Sequence, residues 1–187
     1  MPTRARRTIR TTGELRLLAD PLKLRIYEAL RDAPASPHEL ALRFGLKPTA
    51  LYHHFARLAG AKLIHVAARR KRRGVIEKQY APSAAQLVVD RQLLRAAHTS
   101  QSVATVLAAA SAILEVTGDD LRAAAADPAR PLADRKRSEI ATILVRTTPA
   151  NAQKLMRQLR ALLDTATRLD GTGSTRVRLT LACVPTI

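Results

Sequence analysis

Aromatic side chains are scarce. Of 187 residues two are Phe, three are Tyr and none is Trp. A core without them must be assembled from Leu, Ile, Val and Ala, and the 34 alanines favour helix as the way to do it. The same scarcity argues against a single-strand-binding surface, which stacks successive bases on aromatic rings. Cysteine is nearly missing too: Cys183 is alone, which excludes an internal disulfide scaffold and suits a reduced compartment. With seven glycines, none set in a phosphate-cradling motif, nucleotide chemistry has no support, and Gly171 and Gly173 read as a polar turn. No apolar run approaching the ~20 residues of a spanning helix is expected along the chain. Arg4, Arg6, Arg7 and Arg10 are not followed by the apolar stretch of a secretory signal. The expectation is a soluble, cytoplasmic, mostly helical protein.

Acidic residues are the remaining deficit, with 15 Asp+Glu against 32 Lys+Arg and a formal net charge of +17. The excess is uneven. Residues 1–82 hold 18 Lys+Arg and 6 Asp+Glu, whereas residues 83–187 hold 14 and 9. Such asymmetry suggests a polyanion-binding module joined to a more neutral half, with a merely solvated basic surface as the plainer alternative.

Along the chain, residues 1–12 (MPTRARRTIRTT) show no apolar period and read as a disordered basic arm. Leu15, Leu18, Leu22, Ile26 and Leu30 recur at three and four, one face of a helix or of two helices broken near Asp20-Pro21. Ser36-Pro37-His38-Glu39 is a helix start with a capping box, and that helix turns Leu40, Ala41 and Phe44 inward and ends at Gly45. A second short helix runs from Thr49 to about Ala59, burying Leu51, Phe55 and Leu58. Two short helices joined by Gly-Leu-Lys match a helix-turn-helix. Residues 63–80 read as a β-hairpin with Ile64, Val66 and Ala68 half-buried on one face; its tip carries Arg69, Arg70, Lys71, Arg72 and Arg73, and Gly74 provides the turn.

The second half differs. Residues 87–98 are helical in pattern. Val103, Val106, Leu107, Ala110, Ile113 and Leu114 form an apolar stripe on a longer helix ending near Gly118, with Asp119-Asp120 capping a helix. A strand over 140–145, a helix from Thr148-Pro149 with Leu155, Leu159, Leu162, Leu163 and Leu169 inward, and a strand carrying Val177, Leu179, Leu181 and Cys183 complete the chain. Those two strands can pair in parallel through the helical crossover or pair antiparallel with others. Cys183 is expected to be a buried structural thiol.

Helix, helix, turn, helix and a basic-tipped hairpin, in that order, make a winged helix-turn-helix. On ADPLKLRIYEAL, SPHELALRFGLKPTALYHHFARL and EKQYAPSA, residues 14–85 resemble bacterial ArsR-type winged-helix transcriptional regulators. Residues 139–187, with TPANAQKLMRQLRALL, are more loosely similar to the C-terminal regions of a subgroup of them. The resemblance implies DNA binding and a place for His54 beside Phe55, expected to be structural rather than a DNA contact. The chain departs from the pattern at Lys47, where relatives carry a small polar residue, and at Lys62, where they carry Gly. It also lacks the Cys by which metal-responsive relatives sense: ELALRFG has none, and the five histidines form no ligand pair beyond the adjacent His53 and His54.

The expected fold is thus mainly α with a small β component: an arm (1–12), a winged helix-turn-helix (13–85), and a helical α+β dimerisation or sensor region (86–187). The expected function is sequence-specific binding of double-stranded DNA by a homodimeric transcriptional regulator, a repressor, without catalysis, metal or other cofactor, and with no membrane role. Thr49 faces base edges, Tyr52 and His53 a base edge or a phosphate, while Lys47, Arg57 and the run Arg69, Arg70, Lys71, Arg72 and Arg73 face phosphates. Val103, Val106, Leu107, Ala110 and Leu114 form the dimer interface or, equally, the intrachain core. A small-molecule effector is open. Two other classes remain: a nucleoid-type or RNA-binding winged helix driven by charge, and a module whose basic wing docks an acidic protein.

Overall fold

In the computed structural model, which describes residues 4–72, 75–126, 147–169 and 179–180, the first apolar stripe is two helices. Helix α1 (Thr12–Leu18) is capped by Thr11, and α2 (Pro21–Asp32) by Asp20, whose carboxylate accepts from the Leu22 and Lys23 N–H groups at 3.0 and 3.1 Å. Pro21 takes the first helical position, where its missing N–H would have had no partner. Helix α3 (Pro37–Arg43) begins with the complete Ser36–Glu39 capping box and ends at Phe44 and Gly45. Gly45 turns the chain at φ 68°, with open space where a Cβ would stand. Helix α4 (Thr49–Gly60) follows. Leu15, Ile26, Leu30, Leu40, Leu51, Phe55, Leu58 and Leu63 bury themselves together, the aliphatic core that a chain short of aromatics must use. Phe55 meets Tyr80 edge-on at 5.1 Å.

Strands β2 (Ile64–Arg72) and β3 (Val75–Pro82) pair antiparallel, and Ala35 exchanges backbone hydrogen bonds with Tyr80 at the hairpin's base (2.9 and 3.1 Å). Leu63 and Ile64 are buried, but Val66 and Ala68 are exposed, contrary to the alternation. Val66 precedes a register irregularity between Val66 and Ala68, where one extra residue turns every later side chain, Ala68 first, to the opposite face. Arg73 and Gly74, expected at the tip, lie outside the described residues.

The largest difference from the sequence reading is at the N-terminus. Residues expected in a disordered arm form strand β1 (Arg4–Ile9), parallel to β4 (Ala84–Val89), a strand that displaces the start of the helix expected from residue 87. Ile9 is fully buried in the core and anchors the strand. The Arg7 guanidinium does the rest: it donates to Glu14 Oε1 (2.6 Å), to the Ala61 carbonyl (2.9 Å), to the Lys62 carbonyl and to Ser83 Oγ (3.3 Å). Only the short helix α5 (Arg91–Arg95), capped by Asp90, remains of the expected 87–98 helix.

Two compact units divide the chain, Met1–Val116 and Thr117–Ile187, so β4, α5 and the first part of α6 (Ser100–Ala126) belong with the helices before them. Helix α6 continues past Gly118; Asp119 and Asp120 therefore lie inside it rather than capping, and Asp119 pairs with Arg122 one turn on. Its stretch Ser100–Ala123 is long and apolar enough to cross a membrane by length and composition, which corrects the expectation of no such run; interspersed Ser, Thr and Ala hid it. The same description fits a soluble helix with one buried face. In the second unit, helix α7 (Pro149–Arg168) starts at Thr148, whose hydroxyl accepts from the Asn151 N–H. Leu155, Leu162, Leu163 and Leu169, expected inward, are exposed, and Leu159 is half-buried. The strand expected over 140–145 and most of the closing strand, Cys183 included, lie outside the described residues; of the latter Leu179 is exposed and Thr180 meets Thr117 hydroxyl to hydroxyl at 2.9 Å.

Lys62 adopts φ 57°, the left-handed region in which a Cβ costs ~1–2 kcal/mol. Lys62→Gly should therefore raise stability by about 0.5–1 kcal/mol after the glycine's own entropy is counted, and Gly45→Ala should lower it by about 1 kcal/mol. Urea unfolding monitored by circular dichroism measures both; a destabilised Lys62→Gly would contradict the strain.

Candidate nucleic-acid interface

Helix α4 divides its residues by period. Leu51, His54, Phe55 and Leu58 face the core, which leaves Thr49, Tyr52, His53, Ala56 and Arg57 on the opposite, exposed face. Tyr52 is 55% exposed although it is one of three tyrosines in a chain poor in aromatics. Lys47 is exposed just before the helix, whose N-cap, Pro48, gives no side-chain cap. The expected α4 residues thus share one surface, with hydroxyl, phenol and imidazole between two cations.

His54 is on the other side of the same helix, as expected of a structural residue. It is 9% exposed, its ring lies 3.7 Å from that of His53, and its Nδ1 is buried without a hydrogen-bond partner, 3.7 Å from Asp20 Oδ2. That distance is too long for a hydrogen bond. Burial pushes the imidazole below its ordinary 6.5, Lys23 and His53 push the same way, and Asp20 opposes them. Burial raises the Asp20 carboxyl, but the Lys23 ammonium and backbone N–H outweigh it and hold the group below its usual range.

The hairpin is fixed to α3 by a polar contact that sequence reasoning missed. Ser36 Oγ, fully buried, accepts from the Glu39 N–H (3.2 Å) and donates to Glu77 Oε1 of β3 (2.7 Å). Glu39 in turn accepts from the Ser36 N–H at 2.9 Å, the main reason its carboxyl lies below the ordinary range, with Gln79 and Arg70 adding to the effect. No local pattern announces a bond spanning 41 residues; only the oddity of one acid in a basic hairpin hints at it. Arg69, Arg70 and Lys71 are exposed on β2, Arg72 closes that strand, and Arg73 lies outside the described residues.

The proposed arm contributes differently from expectation. Arg7 is consumed in the interior contacts above, and the Arg10 side chain lies 3.7 Å from Asp90. Burial raises the Glu14 carboxyl, but Arg7 and the Arg10 and Thr11 donors outweigh it and lower it overall. On α6, Val106 packs on the core, whereas Val103, Leu107, Ala110 and Leu114 are exposed; Thr105, Ala109, Ala112 and Val116 are the buried face. Among the described residues no group of three or more His, Cys, Asp or Glu could hold a metal ion.

A family model described as a helix-turn-helix domain matches residues 18–67, from the end of α1 through the first residues of β2. No curated protein matches the chain at a significant level. A helix-turn-helix domain suggests a DNA-binding regulator, and the exposed face of α4 lies inside the matched segment.

The titrations give a signed expectation. A histidine lowered in the fold is protonated first in the unfolded chain, so stability falls as pH drops from about 6.5, and falls again below about 4.5 as Glu14, Asp20 and Glu39 take up protons. Replacing His54 with Phe should flatten the upper limb and leave most of the lower one, losing only the His54 share of the Asp20 shift. Melting temperatures from pH 8 to 3.5 check this; an upper limb retained by His54→Phe would contradict it.

Proposed function

We propose that the chain is a sequence-specific, ArsR-like regulator of transcription, a repressor, that binds double-stranded DNA as a homodimer in the cytoplasm, by binding alone and without catalysis. The observation that carries this reading is the shared exposed face of α4, which presents Thr49, Tyr52 and His53 between Lys47 and Arg57 inside the segment matched as a helix-turn-helix domain. A recognition helix meets the major groove with its N-terminal residues on base edges. Thr49 can meet a thymine methyl or donate to a base, and Tyr52 and His53 reach a base edge or a phosphate. Lys47 and Arg57 neutralise phosphates at either end, which positions without specifying. The hairpin of β2 and β3 then acts as the wing, with its cations toward the backbone beside the site.

Dimerisation is supported by α6. Val103, Leu107, Ala110 and Leu114 follow one another at spacings of four, three and four, the period of a helix–helix seam, and Leu107 and Leu114 are 61% and 56% exposed. Two copies joined along that seam would present two α4 helices to two half-sites about one helical turn apart. The C-terminal region from α6 onward then assembles the protein or senses a small molecule.

Light scattering should return a dimer for the full chain and a monomer for Leu107→Glu/Leu114→Glu, with affinity for an isolated operator falling on the order of 10²-fold in the monomer. Genome-wide mapping followed by binding assays tests specificity. Lys47→Ala and Arg57→Ala should each reduce the slope of log affinity against log salt by about 1, and Thr49→Ala should relax base preference. A specificity ratio near one would favour the nucleoid-type reading. DNA binding unchanged by Arg70→Ala and Arg72→Ala would favour an acidic protein partner.

A further inference from the structure

The hairpin's two faces are chemically unlike. Directly opposed residues of an antiparallel pair share a face, so the register Arg70↔Glu77 and Ala68↔Gln79 puts one set together, and Arg69↔Lys78 and Lys71↔Ile76 the other. The first face is committed to the protein: Glu77 is held by Ser36, and Gln79 is buried. The second is outward. Arg69, Lys71 and Lys78 are exposed there, none with an ion pair among the described residues, and Ile76, 67% exposed, stands opposite Lys71 and next to Lys78 on the same face.

A lone exposed isoleucine is ordinary. One set against three cations on the outer face of a two-stranded ribbon is a specific shape: an apolar point at the corner of a positive patch. A protein interface gains its affinity from a clustered apolar centre with few charges, and one isoleucine among three cations offers neither. The minor groove of a duplex offers both complements, negative phosphate rails on each side and an apolar base step that a branched side chain can part.

We propose that Ile76 is a wedge: when the protein is on DNA, the wing enters the minor groove with Arg69, Lys71 and Lys78 along the phosphates and Ile76 against a base step. This inference rests on the DNA-binding reading above and deepens it by naming the structural class of target. The wedge favours flexible pyrimidine–purine steps such as TA at the wing position, bends the duplex there, and so adds specificity at base pairs that no side chain reads by hydrogen bonding. The Ser36–Glu77 contact decides the outcome, because it fixes which face of the ribbon is turned outward.

The test uses the full-length chain and duplexes enriched by it from a random pool, labelled at their ends for energy transfer and carrying 2-aminopurine beside the TA step under the wing. A second set replaces TA by AA. The native protein should shorten the end-to-end distance, raise 2-aminopurine fluorescence and prefer TA over AA. Ile76→Ala, at an exposed position, should melt like the native protein, keep the salt slope, lose bend and fluorescence, and lose about 5–30-fold affinity on TA but little on AA. Lys71→Ala should do the reverse, lowering the slope by about 1 and keeping the bend. Bend, fluorescence and TA preference retained by Ile76→Ala would overturn the wedge while leaving DNA recognition by α4 standing. If the native protein enriches no duplex, both the wedge and the reading it rests on fall.

Discussion

One hydroxyl sets the geometry on which the rest depends. Ser36 Oγ accepts from the N-terminus of α3 and donates to Glu77 of β3, so a single buried atom pair ties the first helix of the helix-turn-helix to the hairpin. A hydroxyl has one proton, and Glu77 receives it; the other Glu77 oxygen is buried with no hydrogen-bond partner. Removing the Ser36 donor would leave a carboxylate without its bond in a partly buried place, which is costlier than the bond's own net worth of ~1 kcal/mol. The contact therefore gives both orientation and stability. With the Ala35–Tyr80 bridge at the base, it holds the ribbon at two points and leaves one face outward.

The second organising contact is Arg7. By sequence it is one more cation in a basic arm; in the fold it is half-buried and gathers Glu14, Ser83 and the carbonyls of Ala61 and Lys62 around one guanidinium. Those two carbonyls end α4 and lead into β2, so the N-terminal strand fixes the turn through which the exposed helix hands the chain to the hairpin. Lys62 holds its left-handed conformation in the same place. Tyr27 adds a third tie, donating at 2.5 Å to the Ala84 carbonyl of β4; burial pushes its phenol up to about 12, so it stays a donor throughout the working pH range.

Helix starts were legible in the sequence because caps are local: Asp20-Pro21 and Ser36-Pro37 with Glu39 act within four residues. The exposed face of α4 was legible for the same reason, since one helical period sorts Leu51, Phe55 and Leu58 from Thr49, Tyr52 and His53. Strands β1 and β4 were not. Their partners lie some eighty residues apart in the chain, the arginines of RARRTI mask the one buried anchor, Ile9, and AAQLVV reads as a helix until something pairs with it. On α6 the pattern favoured Val and Leu, but the buried face is Thr105, Ala109, Ala112 and Val116. Small side chains allow close approach of backbones, and Thr105 satisfies its buried hydroxyl on the Gln101 carbonyl at 2.9 Å.

Charge asymmetry first pointed to a polyanion, and the fold divides that charge by what each cation faces. Arg7, Lys23 and Arg122 meet carboxylates of the chain itself and are spent on positioning. Lys47, Arg57, Arg69, Lys71 and Lys78 are exposed, the first two flanking the polar face of α4 and the others on the same face of the ribbon as Ile76. Charge alone would bind any duplex, since phosphates are everywhere alike. Discrimination has to come from what the cations accompany: hydroxyl, phenol and imidazole at one place, a branched hydrocarbon at the other. In the proposed reading the first meets the edges of bases and the second the stiffness of the stack. Because Ser36 and Arg7 fix the hairpin to the helices, both surfaces would, under the proposed function, have to find their complements on one duplex at one spacing, and that joint requirement would separate an operator from bulk DNA.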